Sequence, residues 1–226
     1  FSGHAVLDHM AAWARSGSIV IDAGANVGAY AVPLAVARQD IVVHAFEANP
    51  AVAARLAENV ALNRLGNLKV HASALADARG VMDFYQFDDD ISLSSLNRHA
   101  AEIHGAPDIT RVPVETIDDL FAADGRRVSF VKIDVQGAEL PVLRGAERLV
   151  AGHRPVVLFE HEDSHFESAG QALAEKAALE DYFGRHAYRC FYVSRYDPKL
   201  LFPVDWVRPL HGDVLALPLD KGGAAP

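Results

Sequence analysis

Apolar runs of strand length alternate along this chain with stretches in which hydrophobic residues recur every three or four positions, and that rhythm predicts most of its elements. Strands are expected at Ile19 to Ala23, Ile41 to Phe46 and Leu68 to Ala72, then at Val128 to Asp134 and Pro155 to Glu160, with closing strands at Tyr188 to Val193 and Asp213 to Leu217. Helical spacing covers His4 to Ala14, Val27 to Ala37, Ala51 to Leu62, Glu139 to Val150 and Gln171 to Phe183. Asn49-Pro50 announces the third helix, since proline suits a first helical turn. Strand and helix in alternation predict an α/β fold, a doubly wound, mostly parallel sheet with helices on both faces. No helical pattern is the only link between the last two strands, so an antiparallel strand belongs near the edge.

The rhythm fails between Gly80 and Pro113. Val81 to Phe87 alternates as an exposed strand would, and the polar stretch from Asp88 to Pro107 has no sustained period. One domain spanning 1–226 is expected, with residues 1–18 as an N-terminal helical extension and 80–113 as an insertion that shapes a substrate pocket. Within it the acids Asp88, Asp89 and Asp90 read as solvated surface rather than a metal site. The loop Ile91 to Leu96 is expected to line the acceptor pocket.

The most specific chemistry follows the first strand. Asp22-Ala23-Gly24-Ala25-Asn26-Val27-Gly28 ends an apolar strand in an acid and turns through glycines into a helix, which exposes backbone N–H groups to a ligand. A dinucleotide fingerprint requires glycine where Asn26 stands, so the phosphate reading weakens. A carboxylate fixed at a strand end suits a cation, and S-adenosylmethionine carries an ammonium group and no phosphate. Glu47, at the end of the second strand, stands where an acid meets ribose hydroxyls in nucleotide-binding βαβ units. Asp22, Glu47, Ser73, Asp134 and Glu160 are all expected on the carboxyl rim of the sheet, where such folds bind ligands.

Bulk properties narrow the acceptor. The chain has 226 residues, half of them hydrophobic, and a formal charge of -9, so it has core enough for one domain and no basic stripe for a nucleic-acid substrate. Its single cysteine, Cys190, excludes a disulfide framework. No apolar run reaches the roughly 18 residues of a membrane helix and no signal-peptide pattern is present, so a cytoplasmic protein with no membrane partner is expected.

Several blocks together resemble the FkbM family of S-adenosylmethionine-dependent methyltransferases: Asp22 to Gly28, Phe46-Glu47-Ala48-Asn49-Pro50, Val112 to Leu120 with Thr116 and Asp118, Val131-Lys132-Ile133-Asp134 through Gly137-Ala138-Glu139, and Asp213 to Pro218. The resemblance implies a class I methyltransferase (Rossmann-like) fold with a seven-stranded sheet, and O-methyl transfer to a hydroxyl of a carbohydrate or natural-product acceptor. It implies that Asp22, Gly24, Ala25, Asn26 and Gly28 surround the methionine moiety, that Glu47 with Ala48 meets the ribose, that Ser73 and Ala74 lie at the adenine, and that Asp134 faces the methyl-transfer site. Where the family carries Glu, this chain has Gln136.

Transfer to a hydroxyl calls for a group that takes its proton. Asp134 is expected as an orienting or basic group, His161 as the base, and Glu160 beside them. His161-Glu162-Asp163-Ser164-His165 matches the H-E-x-x-H zinc pattern, but its place just after an apolar strand predicts a loop, and the motif needs a helix. No resident metal is expected, although a divalent ion on Asp134, Glu160 and His161 would acidify a hydroxyl. Tyr196 and Trp206 are expected to pack rather than to stack on a sugar. Two other functions stay open: an NAD(P)-dependent oxidoreductase, and a cofactor-binding module without transfer activity.

Overall fold

The computed structural model describes residues 3–87, 94–103, 105–121, 125–194, 197 and 199–220. Asp88 to Asp90, Ile91 to Leu93 and Tyr196 lie outside the described residues. The chain opens with helix α1 (Gly3–Trp13), then β1 (Ile19–Ala23), α2 (Ala31–Ala37), β2 (Val42–Phe46), α3 (Pro50–Leu62) and β3 (Leu68–His71). A small second sheet is formed by β4 (Ala74–Leu75), β5 (Gly80–Gln86) and β6 (Asp108–Glu115), with α4 (Arg98–Glu102) between the last two. The main sheet resumes after α5 (Ile117–Phe121) with β7 (Val128–Ile133), α6 (Glu139–Arg144), α7 (Glu147–His153) and β8 (Val156–Glu162). It closes with α8 (Ala169–Arg185), β9 (Tyr188–Val193), β10 (Leu201–Pro203) and β11 (His211–Pro218).

The main sheet has eight strands in the order β10-β9-β11-β8-β7-β1-β2-β3. Strands β3, β2, β1, β7 and β8 pair in parallel, and β11 runs antiparallel between β8 and β9. The short β10, antiparallel on β9, is the strand beyond the expected seven. Every residue of β1 and β7 is buried, as befits central strands covered on both faces. Their side chains alternate between two cores. Ile19, Ile21, Val131 and Ile133 pack with Leu140, Leu149 and Leu179 of α6, α7 and α8; Val20 and Phe130 pack with Met10, Leu34 and Leu56 of α1, α2 and α3.

The structure departs from the expected elements at three places. β6 was not foreseen because Pro113 interrupts its alternation, and proline is confined to strand positions that need no donor. On that side β6 is paired only at Val114 and Glu115, so Pro113 sits where no neighbour asks for its missing N–H. The helix expected from Glu139 to Val150 is broken at Gly145, where a Cβ would stand 2.0 Å from the Ala76 carbonyl oxygen and where the Gly145 carbonyl accepts from the Asp118 N–H at 2.8 Å. The chain from His161 to His165 is strand followed by a 3-10 turn, not a loop and not an α-helix.

Thr116 and Asp118, from one of the family blocks, serve this architecture. Thr116 Oγ1 accepts the Asp119 N–H at 3.1 Å in the first turn of α5. The Asp118 carboxylate accepts the Arg148 and Leu149 N–H groups at 2.8 and 2.7 Å, capping the start of α7.

Candidate active site

A cavity of about 290 Å³ opens at the carboxyl ends of β1, β2 and β7, the place where open α/β sheets bind ligands. Of the expected cofactor residues, Gly24, Ala25, Asn26, Glu47, Ala48, Ser73, Ala74 and Asp134 line it together. Asp22 and Gly28 lie outside its lining, and so do Glu160 and His161. Phe84, Ser94 and Leu96, from the segment that breaks the sequence rhythm, also line it.

The glycine loop is built to meet both neighbouring strands. Gly24 has φ +78°, and a Cβ there would fall 1.8 Å from the Asp134 carbonyl oxygen, so only glycine lets the β1 and β7 loops touch. Gly24 and Ala25 donate their N–H groups to the Phe46 carbonyl at 3.0 and 2.9 Å. Asn26 takes φ +50°, a left-handed conformation that asparagine tolerates, and its N–H then donates to Glu47 Oε2 at 2.9 Å. This turn uses residues that helical periodicity had assigned to α2, which begins only at Ala31. Gly28 packs beneath the loop, close to Leu56 and Val32.

Glu47 therefore holds the loop as well as facing the cavity. Its Oε1 accepts the Asn49 N–H at 2.8 Å. Burial pushes its carboxyl above the usual range, and the two N–H donors from Asn49 and Asn26 oppose that rise. Each oxygen of a carboxylate offers about two acceptor sites, so each retains one. Ser73 is held by its own bond, Oγ donating to Glu115 Oε2 at 2.9 Å.

Asp22 is wholly buried behind the loop, directly across from Lys132 in the register of β1 and β7. The Lys132 ammonium stands 3.3 Å from Asp22 Oδ1 and 3.3 Å from Asp134 Oδ2, and 4.9 Å from the centre of the Tyr30 ring. Neither Asp22 oxygen has a hydrogen-bond partner in good geometry. Burial raises the Asp22 carboxyl, with Lys132 pulling it back; Lys132, which burial alone would lower, is held above the ordinary lysine value by Asp22 and Asp134. The cation that meets Asp22 inside this chain is thus Lys132. Sequence reasoning assigned Lys132 no task, although a lysine flanked by Val131 and Ile133 in a buried strand demands a carboxylate partner.

Asp134 lies at the junction of cavity and core, its side chain one-third exposed at 33%. Burial would raise its carboxyl, but Lys132 and a hydrogen bond from Gln136 hold it below the usual range. Gln136 Nε2 donates to Asp134 Oδ1 at 3.0 Å and to Glu160 Oε2 at 2.8 Å. Burial, and then the charges of Asp134, Asp213, Glu139 and Glu162, push the Glu160 carboxyl up to about 8.

His161, one residue further along β8, has a side chain only 1% exposed. Its Nε2 is 3.2 Å from Asp163 Oδ1, and its ring stacks on Phe166 with centres 5.6 Å apart. Lys176 completes the group, donating to Asp163 Oδ2 at 2.8 Å and to the Arg208 carbonyl at 2.7 Å. These contacts give His161 a packing task that ties β8 to α8. Among the described residues no group of three or more His, Cys, Asp or Glu is arranged to hold a metal ion. Trp206 is partly buried and packs against the core.

Glu139 also carries a measurable consequence. Buried at the start of α6, its Oε1 accepts the Gly137 and Val135 N–H groups at 3.1 and 3.3 Å. Burial outweighs those bonds and pushes its carboxyl up to about 7 from the ordinary 4.5. The folded chain thus binds this proton more tightly than the unfolded chain, so the associated stability is complete below pH 4.5 and is lost as pH rises through 7. Glu139→Gln keeps the acceptor oxygen and removes the charge. Chemical denaturation is expected to find the variant more stable than the parent by about 2 kcal/mol at pH 8.5, with the gain vanishing near pH 4.

Strand order, the glycine turn after β1 and the acid after β2 define the class I methyltransferase fold. A family model described as the methyltransferase FkbM domain matches residues 22–190, and the chain belongs to that family. Methyltransferase 1 of Beauveria bassiana (strain ARSEF 2860) is 26% identical over 146 residues, covering 58% of this chain and 59% of that protein. The 31-O-demethyl-FK506 methyltransferase FkbM of Streptomyces tacrolimicus is 28% identical over 159 residues, covering 59% of this chain and 61% of that protein. The chain thus spans 59% and 61% of the length of these curated relatives. The crystal structure of methyltransferase FkbM from Methylobacillus flagellatus KT superposes with a TM-score of 0.57 at 16% identity, over 94% of this chain and 47% of that one, a likeness of fold. No helix among the described residues is long and apolar enough to cross a membrane.

Proposed function

We propose that this chain binds S-adenosylmethionine and directs its methyl group to a hydroxyl of a carbohydrate or natural-product acceptor. The observation that carries the reading is the convergence on one cavity of the glycine loop, the Glu47 carboxylate and Asp134, from three adjacent parallel strands. When bound, the cofactor supplies an electrophilic methyl group on a sulfonium. The residues suit it: Glu47 retains acceptor sites for a diol, Phe46, Ala74 and Leu75 offer an apolar wall to a nucleobase, and Asp134 offers negative charge to an amine. Lys132 touches both aspartates, and Asp134, held below the usual carboxylate range, presents its negative charge at the cavity wall.

Positioning of acceptor oxygen and methyl group contributes much of the acceleration in such a displacement. Glu160, outside the cavity lining but joined to it through Gln136, is our candidate base: its carboxylate would take the proton that the acceptor hydroxyl gives up when the methyl group leaves sulfur for that oxygen. His161, buried against Asp163, is assigned no proton transfer. The charge of -9 favours a small or neutral acceptor over a nucleic acid.

Calorimetry with S-adenosylmethionine, S-adenosylhomocysteine and NAD tests the cofactor, and product formation across a panel of glycans and hydroxylated natural products tests the transfer. Binding of NAD alone ends the reading; cofactor binding without product from any acceptor reduces the chain to a binding module. Because a base must be ionised, turnover is expected to rise with pH along a limb centred near the Glu160 value of about 8.

A further inference from the structure

Asp134 and Glu160 hydrogen-bond to one another and are also joined by an amide. Gln136 donates one N–H toward Asp134 Oδ1 and the other toward Glu160 Oε2, at 3.0 and 2.8 Å, and so uses its whole donor capacity on two carboxyl groups. Its backbone is held for the purpose. It takes φ +55°, its carbonyl accepts from Ser95 Oγ, and the next residue is pinned by Gly137 N–H to Glu139 at 3.1 Å and by Asn97 Nδ2 to the Gly137 carbonyl at 3.1 Å. Asp134 is tied on its other oxygen to Lys132.

We propose that Gln136 is a positioning residue of the transfer site, coupling Glu160 to Asp134 so that the two carboxyl groups act as one unit with one Glu160 oxygen left for the acceptor. The consequence for transfer rests on the reading of Glu160 as base, whereas the coupling itself does not. The charged groups acting most strongly on Glu160 are all acidic: Asp134 just past β7, Asp213 across from it on β11, Glu139 at the start of α6 and Glu162 on its own strand. Among them the Gln136 amide is a neutral donor to the ionised form. Withdrawing it favours the protonated acid.

The test is a titration of the cofactor-free protein with 13C-labelled carboxyl groups, followed by NMR, in the parent and in two variants. Gln136→Asn keeps a residue that tolerates the left-handed backbone but is one methylene too short to span both partners. Its Glu160 midpoint is expected to rise by about one pH unit, with the Asp134 signal still responding there through the direct contact of the two carboxyl groups. Gln136→Glu fills the same space, adds a third carboxyl and is expected to raise the midpoint further, so it decides the matter if the Asn variant fails to fold. Where turnover is measured, the limb of its pH profile should move with the midpoint. A Glu160 midpoint unchanged in the folded variants overturns the proposal. Failure to bind S-adenosylmethionine would end the transferase reading instead, and would leave the titration result untouched.

Discussion

Lys132→Met is expected to destabilise the fold by about 3 to 5 kcal/mol, because it strands a buried carboxylate without its counter-charge. The Lys132 side chain is 4% exposed and Asp22 is 0% exposed, so water replaces none of the lost interaction. Methionine fills much of the space of the lysine stem, which confines the effect to charge. Asp22, already raised by burial, then binds a proton more readily still, and the variant should recover part of its stability as pH falls. Adding Asp22→Asn removes the fully buried charge and leaves Asp134, which reaches the cavity. Buried ion pairs replaced as a unit are often near neutral, so the double variant should return to within about 2 kcal/mol of the parent. Urea unfolding of the four proteins supplies the cycle, and a loss in the double variant equal to the sum of the two single losses would show that the pair is not coupled.

That ion pair marks the boundary of what sequence reading reached. The central strands were legible because burial on both faces leaves nearly continuous apolar runs, and Glu47 and Asp134 were legible at the cavity because each follows such a run. Register was not. Whether Asp22 looks toward a ligand or toward Lys132 depends on how β1 aligns with β7, and no local pattern in either strand states that alignment. His161 illustrates the same gap: adjacent strand residues point to opposite faces, so Glu160 and His161 part company although they are neighbours in sequence. The helix break at Gly145 was concealed because its cause, the backbone of Ala76, lies far away along the chain.

The family blocks divide accordingly between ligand and scaffold. Asp118 and Thr116 spend their side chains on helix starts, and Gly24 on the close approach of two loops, so a substitution there would act on the cavity only through the backbone that frames it. Glu47 does both tasks at once, and its substitution tests the site most directly.

Glu47→Gln is expected to weaken S-adenosylmethionine binding about 30-fold, near 2 kcal/mol, while leaving the protein folded. The amide is isosteric, but it removes the charge that would accept a diol and turns an N–H group toward the Asn26 or Asn49 N–H that the carboxylate now accepts. Part of the loss therefore comes from the loop. Separating the contributions requires adenosine as a second ligand: it carries the diol without the amino-acid moiety, and should lose nearly as much affinity if Glu47 acts on the ribose. Acidification of the parent gives an independent check. Burial sets the Glu47 carboxyl above the ordinary glutamate range, so its protonation, and with it the decline in affinity, should begin at a higher pH than an exposed glutamate would impose. Unchanged calorimetric affinity in the Gln variant, together with a flat acid limb, would remove Glu47 from the cofactor site and leave it a loop anchor alone.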